Sequence, residues 1–270
     1  MQPFPGALEH TVVIEIGGVP IALETSDPGF IGILKTRFGD FFDDRATPQF
    51  QFRMDLVPPD KFDPDADAEV WLEDGEWRMQ RGDFLAEWSP ERCRGTIRQS
   101  ANPYSIDSVL RLVHSLLLAP AGGFLLHASS GIRNGKAFLF SGVSEAGKTT
   151  MARLAPSDVL LLTDEVSYVR KTDGGYTACG TPFAGEFGEP GQNVSAPIAA
   201  LYLLEKAAEN SIAPMAPAEA IRRLMRNVLF FAHDTELVRL VFASVCAFVA
   251  KVPVYRLSFF PDQRVWELIG

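Results

Sequence analysis

Cysteine and histidine are scarce in this chain. The three cysteines, Cys93, Cys179 and Cys246, are far apart, and the four histidines are scattered among 270 residues. No C-x-x-C pair is present, which disfavours a zinc site, and isolated cysteines in odd number fit a reducing compartment better than a disulfide framework. We therefore expect a cytoplasmic protein without structural zinc or disulfides.

Long apolar segments and an excess of basic charge are also missing. The longest apolar run, residues 240–250, is too short to cross a bilayer and predicts a buried helix. The first ten residues lack a basic region followed by an apolar run, so we expect no signal peptide. The net charge of −9 disfavours nucleic acid and anionic membranes as partners.

The hydrophobic content is 47%, enough for one large domain or two small ones. The pattern changes near Asn102-Pro103, and we predict a β-rich module over residues 1–100 and a second domain over residues 101–270. In the module we predict a hairpin over residues 11–23 and a helix that is capped within Ser26-Asp27-Pro28, has proline near its first turn and ends near Gly39. Further strands are predicted over residues 49–57, 69–72, 76–81, 84–88 and 94–98. Trp71, Trp77 and Trp88 either pack in this module or line a site, and packing is favoured.

A phosphate-binding loop is the strongest motif. Residues 142–149 match the pattern G-x-x-x-x-G-K-T, between a predicted strand (136–141) and a predicted helix (150–154). With the residue that follows, the predicted loop consists of Gly142, Val143, Ser144, Glu145, Ala146, Gly147, Lys148, Thr149 and Thr150. Backbone N–H groups and the helix N-terminus favour phosphate there. Lys148 would reach the β- and γ-phosphates of ATP, and the Thr149 hydroxyl would bind Mg²⁺. The alternative is a glycine-rich turn that happens to contain a lysine.

Two acids follow the next predicted strand, over residues 159–163. Asp164 and Glu165 stand where a carboxylate can hold Mg²⁺ or its water shell, although a strand that simply ends in a solvated turn would look the same. Fifteen residues separate Lys148 from Asp164, which leaves room for one short helix and one strand. No N-K-x-D sequence is present, which disfavours a GTPase.

His127 lies on a predicted strand over residues 124–129. The Asn134-Gly135 pair predicts a hairpin that makes this strand antiparallel to the strand that leads into the phosphate loop. Whether His127 lies near the nucleotide depends on the register, so a structural role and a phosphate-contacting role both stay open.

Two later segments are also of interest. Residues 180–192, with Glu186 and Glu189, predict an irregular loop that is either a lid or an ordinary surface loop. Residues 218–231 predict a helix with three basic side chains, which either approach a phosphate or form a solvated face: Arg222, Arg223 and Arg226. Strands over residues 166–171, 176–179, 197–205 and 254–260 and an apolar core helix over residues 236–251 complete the prediction.

Three segments together, residues 126–129, 142–150 and 162–165, resemble the core of HPr kinase/phosphorylase. They are closer still to smaller kinase-like relatives of that enzyme found beside peptide-modification and PqqD-like genes. The resemblance spans residues 123–260. It implies an α/β (mixed α+β) domain with the fold of phosphoenolpyruvate carboxykinase, in which the P-loop lies within a mixed, partly antiparallel sheet. The β-rich N-terminal module precedes this domain and does not resemble that of HPr kinase.

The resemblance also implies roles for individual residues. Lys148 and Thr149 match the ligands of the nucleotide phosphates and Mg²⁺, and Asp164 matches the first acid of an Asp-Asp pair of which one member is the general base. Glu165 replaces the second acid with a longer side chain, and His127 matches a histidine near the transferred phosphate. Glu145 replaces a loop glycine. No counterpart of the motif for phosphorylase activity is present, so dephosphorylation is not expected.

These observations predict an ATP- and Mg²⁺-dependent kinase with Lys148, Asp164, Glu165 and His127 as catalytic residues. By resemblance, the acceptor is a serine or threonine hydroxyl of a small protein or peptide. Two alternatives stay open: a non-catalytic ATP-binding partner protein in a peptide-modification pathway, and a small-molecule kinase. The sequence leaves an oligomer open.

Overall fold

A computed structural model describes residues 10–59, 61, 63, 66–185 and 190–270 of the chain. The chain divides into two compact units. The first extends to Val113 and includes Phe231–Asp234, and the second comprises His114–Phe230 and Thr235–Gly270. Each unit contains one mixed β-sheet, so the molecule belongs to the mixed α+β class.

The first unit is built on a seven-stranded sheet in the order β1-β2-β3-β7-β6-β5-β4. Its pairs are antiparallel except β2 with β3 and β3 with β7, which are parallel. These strands confirm every strand predicted for this part of the sequence: β1 (His10–Ile16), β2 (Val19–Thr25), β3 (Phe50–Leu56), β4 (Glu69–Glu73), β5 (Glu76–Arg81), β6 (Phe84–Ser89) and β7 (Arg94–Gln99).

Helix α1 (Pro28–Phe38) follows the first hairpin and begins as predicted. The Asp27 carboxylate accepts hydrogen bonds from the N–H groups of Gly29 and Phe30, because the first N–H groups of a helix have no partner within it. Within the unit, Trp77 and Trp88 are 8% and 2% exposed. These two tryptophans therefore serve mainly in packing, and Trp71 is half-buried.

Helix α2 (Pro103–Leu118) carries the chain from the first unit into the second. The second unit contains a nine-stranded mixed sheet. The strands and the other α-helices of this unit are β8 (Phe124–Arg133), β9 (Lys136–Ser141), α3 (Lys148–Arg153), β10 (Leu160–Thr163), β11 (Val166–Thr172), β12 (Gly175–Cys179), β13 (Ser195–Lys206), β14 (Ser211–Pro214), α4 (Pro217–Leu224), β15 (Val228–Leu229), α5 (Thr235–Val249) and β16 (Val254–Phe259). A 3-10 helix, Gln263–Glu267, follows β16.

Two long strands organise this second sheet. The first half of β8 pairs with β11 and β15, and its second half pairs with β9 and β10, all antiparallel. Strand β13 is antiparallel to β12 and parallel to β9 and β16. The strand that leads into the phosphate loop therefore has one antiparallel and one parallel neighbour, which makes the sheet mixed and partly antiparallel as predicted.

Two predictions for the second unit need correction, and one of its strands was not predicted. The helix predicted over residues 218–231 ends at Leu224, because Val228 and Leu229 pair with Leu126 and Leu125 of β8. Strand β14 was not expected, and it pairs with β16.

Helix α5 was expected to be buried, but only one of its faces is. Val245 and Phe248 are 0% exposed, whereas Val238 and Phe242 are 44% and 50% exposed. Across the described part of the chain, no helix combines the length and apolarity that a bilayer crossing requires.

Candidate functional site

The predicted phosphate loop, residues 142–150, leads from the end of β9 into helix α3. Glu145 and Gly147 have φ angles of +61° and +109°. A Cβ atom at Gly147 would lie 2.5 Å from the Phe259 ring, so glycine is needed there for space as well as for conformation. Backbone turned at such positions directs successive N–H groups into one concavity, which is the geometry that binds phosphate.

Lys148 is 7% exposed although it is charged. Its Nζ atom donates to the carbonyl oxygens of Gly142 and Val143, at 3.1 Å each. Its own carbonyl accepts a hydrogen bond of 2.9 Å from the hydroxyl of Ser129 on β8. The ammonium group is therefore held against the loop, and the start of α3 is attached to β8.

Asp164 and Glu165 lie in the bend between β10 and β11. The Thr163 hydroxyl oxygen accepts hydrogen bonds of 3.2 Å from the N–H groups of Glu165 and Val166, which stabilises the bend. Asp164 is only 6% exposed. Its Oδ1 atom accepts a hydrogen bond of 2.9 Å from the N–H of Gly185.

Gly185 fits closely against this pair of acids. A Cβ atom there would lie 2.8 Å from Oδ2 of Asp164 and 2.9 Å from Cβ of Glu165. The first part of the predicted loop 180–192 therefore contacts the acids. Glu186 and Glu189 lie outside the described residues, and the lid role of this loop stays a prediction.

The register of β8 places His127 beside the acids. His127 is opposite Val166 of β11, and the N–H of the next residue, Ala128, donates to the carbonyl of Glu165 at 2.9 Å. Ala128 is also opposite Ser141, the last residue of β9 before the phosphate loop. The half-buried His127 is thus one residue from the point where the phosphate loop begins.

One cavity of about 620 Å³ brings these groups together. All four predicted catalytic residues line it, as do six of the nine predicted loop residues. Its lining consists of His127, Ser144, Glu145, Gly147, Lys148, Thr149, Thr150, Asp164, Glu165, Ala184 and Gly185. Of the other three loop residues, Ala146 is 6% exposed within an apolar cluster. Gly142 and Val143 line a second cavity.

The predicted magnesium ligands, Thr149 and Asp164, share the first cavity. Among the described residues, no group of three or more His, Cys, Asp or Glu side chains is arranged to hold a metal ion. Mg²⁺ commonly takes one or two protein ligands and completes its coordination with water and substrate phosphates. A hydroxyl and a carboxylate in one cavity therefore fit a nucleotide-bound Mg²⁺ and do not fit a site made of protein ligands alone.

Sequence reasoning assigned no role to Ser129, Thr163 and Gly185, which position Lys148 and Asp164. A Ser or Thr one residue before an acid at the end of a strand is a local signal that could have identified Thr163. Ser129 and Gly185 are distant in sequence from their partners, and only the fold brings them together.

The three arginines singled out in the sequence separate into two kinds. Arg223 forms ion pairs with Glu205 and Glu219. Arg222 and Arg226 are exposed and line the second cavity, about 290 Å³ in volume, together with Arg223, Gly142 and Val143.

The comparison with known proteins gives one family. The family model described as "SynChlorMet cassette protein ScmC" matches residues 96–270. This segment contains every residue of the candidate site. None of the curated proteins matches the chain.

Proposed function

The chain belongs to the ScmC family of SynChlorMet cassette proteins, and we propose that it is an ATP-dependent kinase that phosphorylates a hydroxyl group. The acceptor that we propose is a serine or threonine of a small protein or peptide. The family description states no reaction, so the proposal is based on the chemistry of the site.

The observation that carries the proposal is the composition of the 620 Å³ cavity. A phosphate loop with its lysine, two carboxylates from the β10–β11 bend and a histidine from β8 line the same volume. Phosphoryl transfer requires mainly positioning and charge stabilisation, and these residue types supply both. A cavity of this size is also within the range of small-molecule and cofactor sites.

The residues present fit Mg²⁺ and ATP. Thr149 and Asp164 would hold the metal, which supplies positive charge against the β- and γ-phosphates when bound. Lys148 would move from the carbonyls of Gly142 and Val143 to the phosphates, where it neutralises charge that develops on the transferred group. The left-handed backbone at Glu145 and Gly147 would direct N–H groups toward the same phosphates.

The acids supply the proton acceptor. Asp164 or Glu165 takes the proton of the acceptor hydroxyl as its oxygen forms a bond to the γ-phosphorus. The bond between that phosphorus and the bridging oxygen of ADP breaks, and ADP leaves with those electrons. His127 lies beside Glu165 because β8 pairs with the bend that carries the acids. In this proposal His127 orients the phosphoryl group or the acid.

We further propose that the second unit has the phosphoenolpyruvate carboxykinase-like fold that the resemblance to HPr kinase implies. The support is the position of β9 between antiparallel β8 and parallel β13, with acids that follow soon after the loop in sequence. In this proposal Glu165 replaces an aspartate of the family's acid pair.

The test is a Lys148→Ala variant compared with Lys136→Ala, which removes an exposed lysine of the same unit. We expect Lys148→Ala to lower ATP turnover by at least about 100-fold, because the lysine stabilises transition-state charge. We expect Lys136→Ala to keep wild-type turnover. Turnover is measured as ADP formed and as labelled γ-phosphate transferred to an array of serine and threonine peptides.

Full turnover by Lys148→Ala would refute the kinase proposal. Binding of Mg·ATP by the wild type, without ADP formation or transfer, would instead favour the non-catalytic nucleotide-binding partner protein.

A further inference from the structure

The cavity lined by Arg222 and Arg226 adjoins the phosphate loop. Gly142 and Val143, the first two loop residues, line this cavity of about 290 Å³, whereas the rest of the loop from Ser144 lines the larger one, except for the buried Ala146. Two loop residues therefore separate the arginines from the proposed nucleotide site.

A second connection runs through Asn227, which also lines the smaller cavity. Its carbonyl accepts a hydrogen bond of 2.7 Å from the N–H of His127. Its side-chain Nδ2 donates to the carbonyl of Arg223 at 3.0 Å, and the residue is 8% exposed. The segment that carries the arginines is thus attached to the strand that carries His127, and a residue that lines the smaller cavity bonds to one that lines the larger cavity.

The charges around this cavity are not balanced. The acids of the region, Glu205 and Glu219, both pair with Arg223 and with Arg256. Among the described residues, neither Arg222 nor Arg226 has an ion pair, and both side chains are exposed. Among the described residues that line the cavity, three arginines face one acid, Glu219, which is an excess of about two positive charges in a chain whose net charge is −9.

Guanidinium groups are suited to carboxylates and phosphates because their planar N–H donors match two oxygens at once. The volume of about 290 Å³ is at the low end for ligand pockets, so it suits one anionic group and not a whole nucleotide. The larger cavity already provides the lysine and the loop N–H groups for the triphosphate.

We infer that Arg222 and Arg226 form an anion subsite that holds an acidic group of the phosphoacceptor beside the phosphate loop. The inference rests on the proposed kinase function for the identity of the ligand, but the anion site itself does not depend on it. An acceptor held there would bring its hydroxyl to the boundary between the two cavities, near His127 and the loop.

The first experiment measures the anion site directly, with inorganic phosphate as the probe. Bound phosphate per chain is followed by ³¹P NMR in the wild type, in Arg222→Gln/Arg226→Gln, in Lys148→Ala and in the control Arg239→Gln/Arg264→Gln. The control removes two arginines that are exposed elsewhere on the second unit. We expect two phosphate sites in the wild type and the control, and one in each of the other two variants.

The second experiment identifies the source of the anion. The affinity for Mg·ATP is measured for the same proteins, and labelled transfer is measured on serine and threonine peptides made in pairs, with acidic neighbours (Asp, Glu) or with their amides. We expect the wild type to prefer the acidic peptides at least tenfold. Arg222→Gln/Arg226→Gln should lose this preference, keep wild-type activity on the amide peptides and bind Mg·ATP within twofold of the wild type.

Unchanged phosphate binding in Arg222→Gln/Arg226→Gln would overturn the site. A tenfold loss of Mg·ATP affinity in that variant would overturn the acceptor assignment, because the arginines would then hold the γ-phosphate. If no wild-type transfer occurs on any peptide, the kinase proposal and the acceptor assignment fail together, and the phosphate measurement alone decides whether the anion site exists.

Discussion

The two units hold their buried charges in different ways. In the first unit, the Asp83 carboxylate is 1% exposed and is matched by Arg81 at 2.6 Å, and Asp107 is matched by Arg37 and Arg111 at 3.2 Å each. In the second unit, the buried Lys148 lies against main-chain carbonyls and lines a cavity that it shares with Asp164. The first arrangement pairs opposite charges within the fold, whereas the second places charged side chains on the wall of a cavity.

In the first unit, the pKa values of Asp83 and Asp107 show how pairing competes with burial. Burial raises the pKa of Asp83, but hydrogen bonds from Arg81 and Ser105 lower it more, and its pKa falls below the ordinary value. For Asp107, burial outweighs the attraction of Arg111 and Arg37, and its pKa is raised. Hydrogen bonds and the arginine charge therefore outweigh the effect of burial on the pKa of Asp83 and do not outweigh it for Asp107.

The difference between the two units would not hold if the loss of an ion pair in the first unit changed ligand binding in the second. Asp83→Asn removes the carboxylate that pairs with Arg81, and we expect it to lower the free energy of unfolding by roughly 2 to 3 kcal/mol, since the half-buried guanidinium loses its opposite charge. The matched control, Asp55→Asn, breaks the exposed pair with Arg53 and should cost less than about 0.5 kcal/mol.

Urea denaturation measures both stabilities, and Mg·ATP binding measures the site. We expect the affinity for Mg·ATP to be unchanged in both variants. A loss of affinity in folded Asp83→Asn would contradict the separation of structural and ligand-binding charges between the units.

The second unit contains a fully buried histidine, His114. Burial lowers the pKa of His114 to about 3, and its Nδ1 lies 3.4 Å from the hydroxyl of Tyr168. Among the described residues, its Nε2 has no hydrogen-bond partner. A folded-state pKa below the unfolded value means that the unfolded chain binds the additional proton, so stability falls as the pH drops below about 6.5.

We expect this group alone to lower the free energy of unfolding by about 2 kcal/mol between pH 7.5 and pH 5. The measurement is urea denaturation at both pH values. His114→Gln should remove this contribution of about 2 kcal/mol to the pH dependence of stability. The control His233→Gln, which replaces an exposed histidine, should keep it. An equal pH dependence in the wild type and His114→Gln would show that His114 is not the group that titrates.

The smallest expected effect concerns strain within the phosphate loop. Glu145 has a left-handed backbone, which is unfavourable for a residue with a Cβ atom. Glu145→Gly should relieve this strain and raise the free energy of unfolding by up to about 1 kcal/mol.

Glu145→Ala is the matched control, because it removes the carboxylate and keeps the strain. Thermal denaturation and Mg·ATP affinity are measured for both. Tighter nucleotide binding by both variants would show that the carboxylate charge of Glu145 weakens binding. Tighter binding by Glu145→Gly alone would show that the backbone conformation weakens it. If neither property changes in either variant, neither the strain nor the carboxylate of Glu145 matters to the loop.

Much of the secondary structure was predictable because it depends on local patterns. Alternation of apolar residues gave the strands of the first unit, and the Asp27 cap with Pro28 gave the start of α1. The prediction was wrong where tertiary pairing prevailed over local preference. The segment after Leu224 has helical composition, but Val228 and Leu229 form a strand because β8 offers them partners.

The site was predictable in part for the same reason. The phosphate loop is a contiguous motif, so its residues and the strand and helix around it could be identified from the sequence. The position of His127 depended on a register that periodicity does not define, and the pairing of Ala128 with Ser141 decides it. The two cavities and their division of the loop residues could not be predicted, because they arise from elements far apart in the chain.

The mixed α+β class was expected from the family resemblance. The sequence by itself determined the β-rich first part, the glycine-rich loop of residues 142–150 and the two acids after β10. Each of these is encoded in neighbouring residues, through turn chemistry, apolar alternation or backbone conformation. Only the tertiary structure decided that Lys148, Asp164, Glu165 and His127 line one cavity, that Ser129 and Gly185 hold two of them, and that Arg222 and Arg226 lie beside the loop. The reason is physical: strand register and loop packing are set by contacts between distant segments.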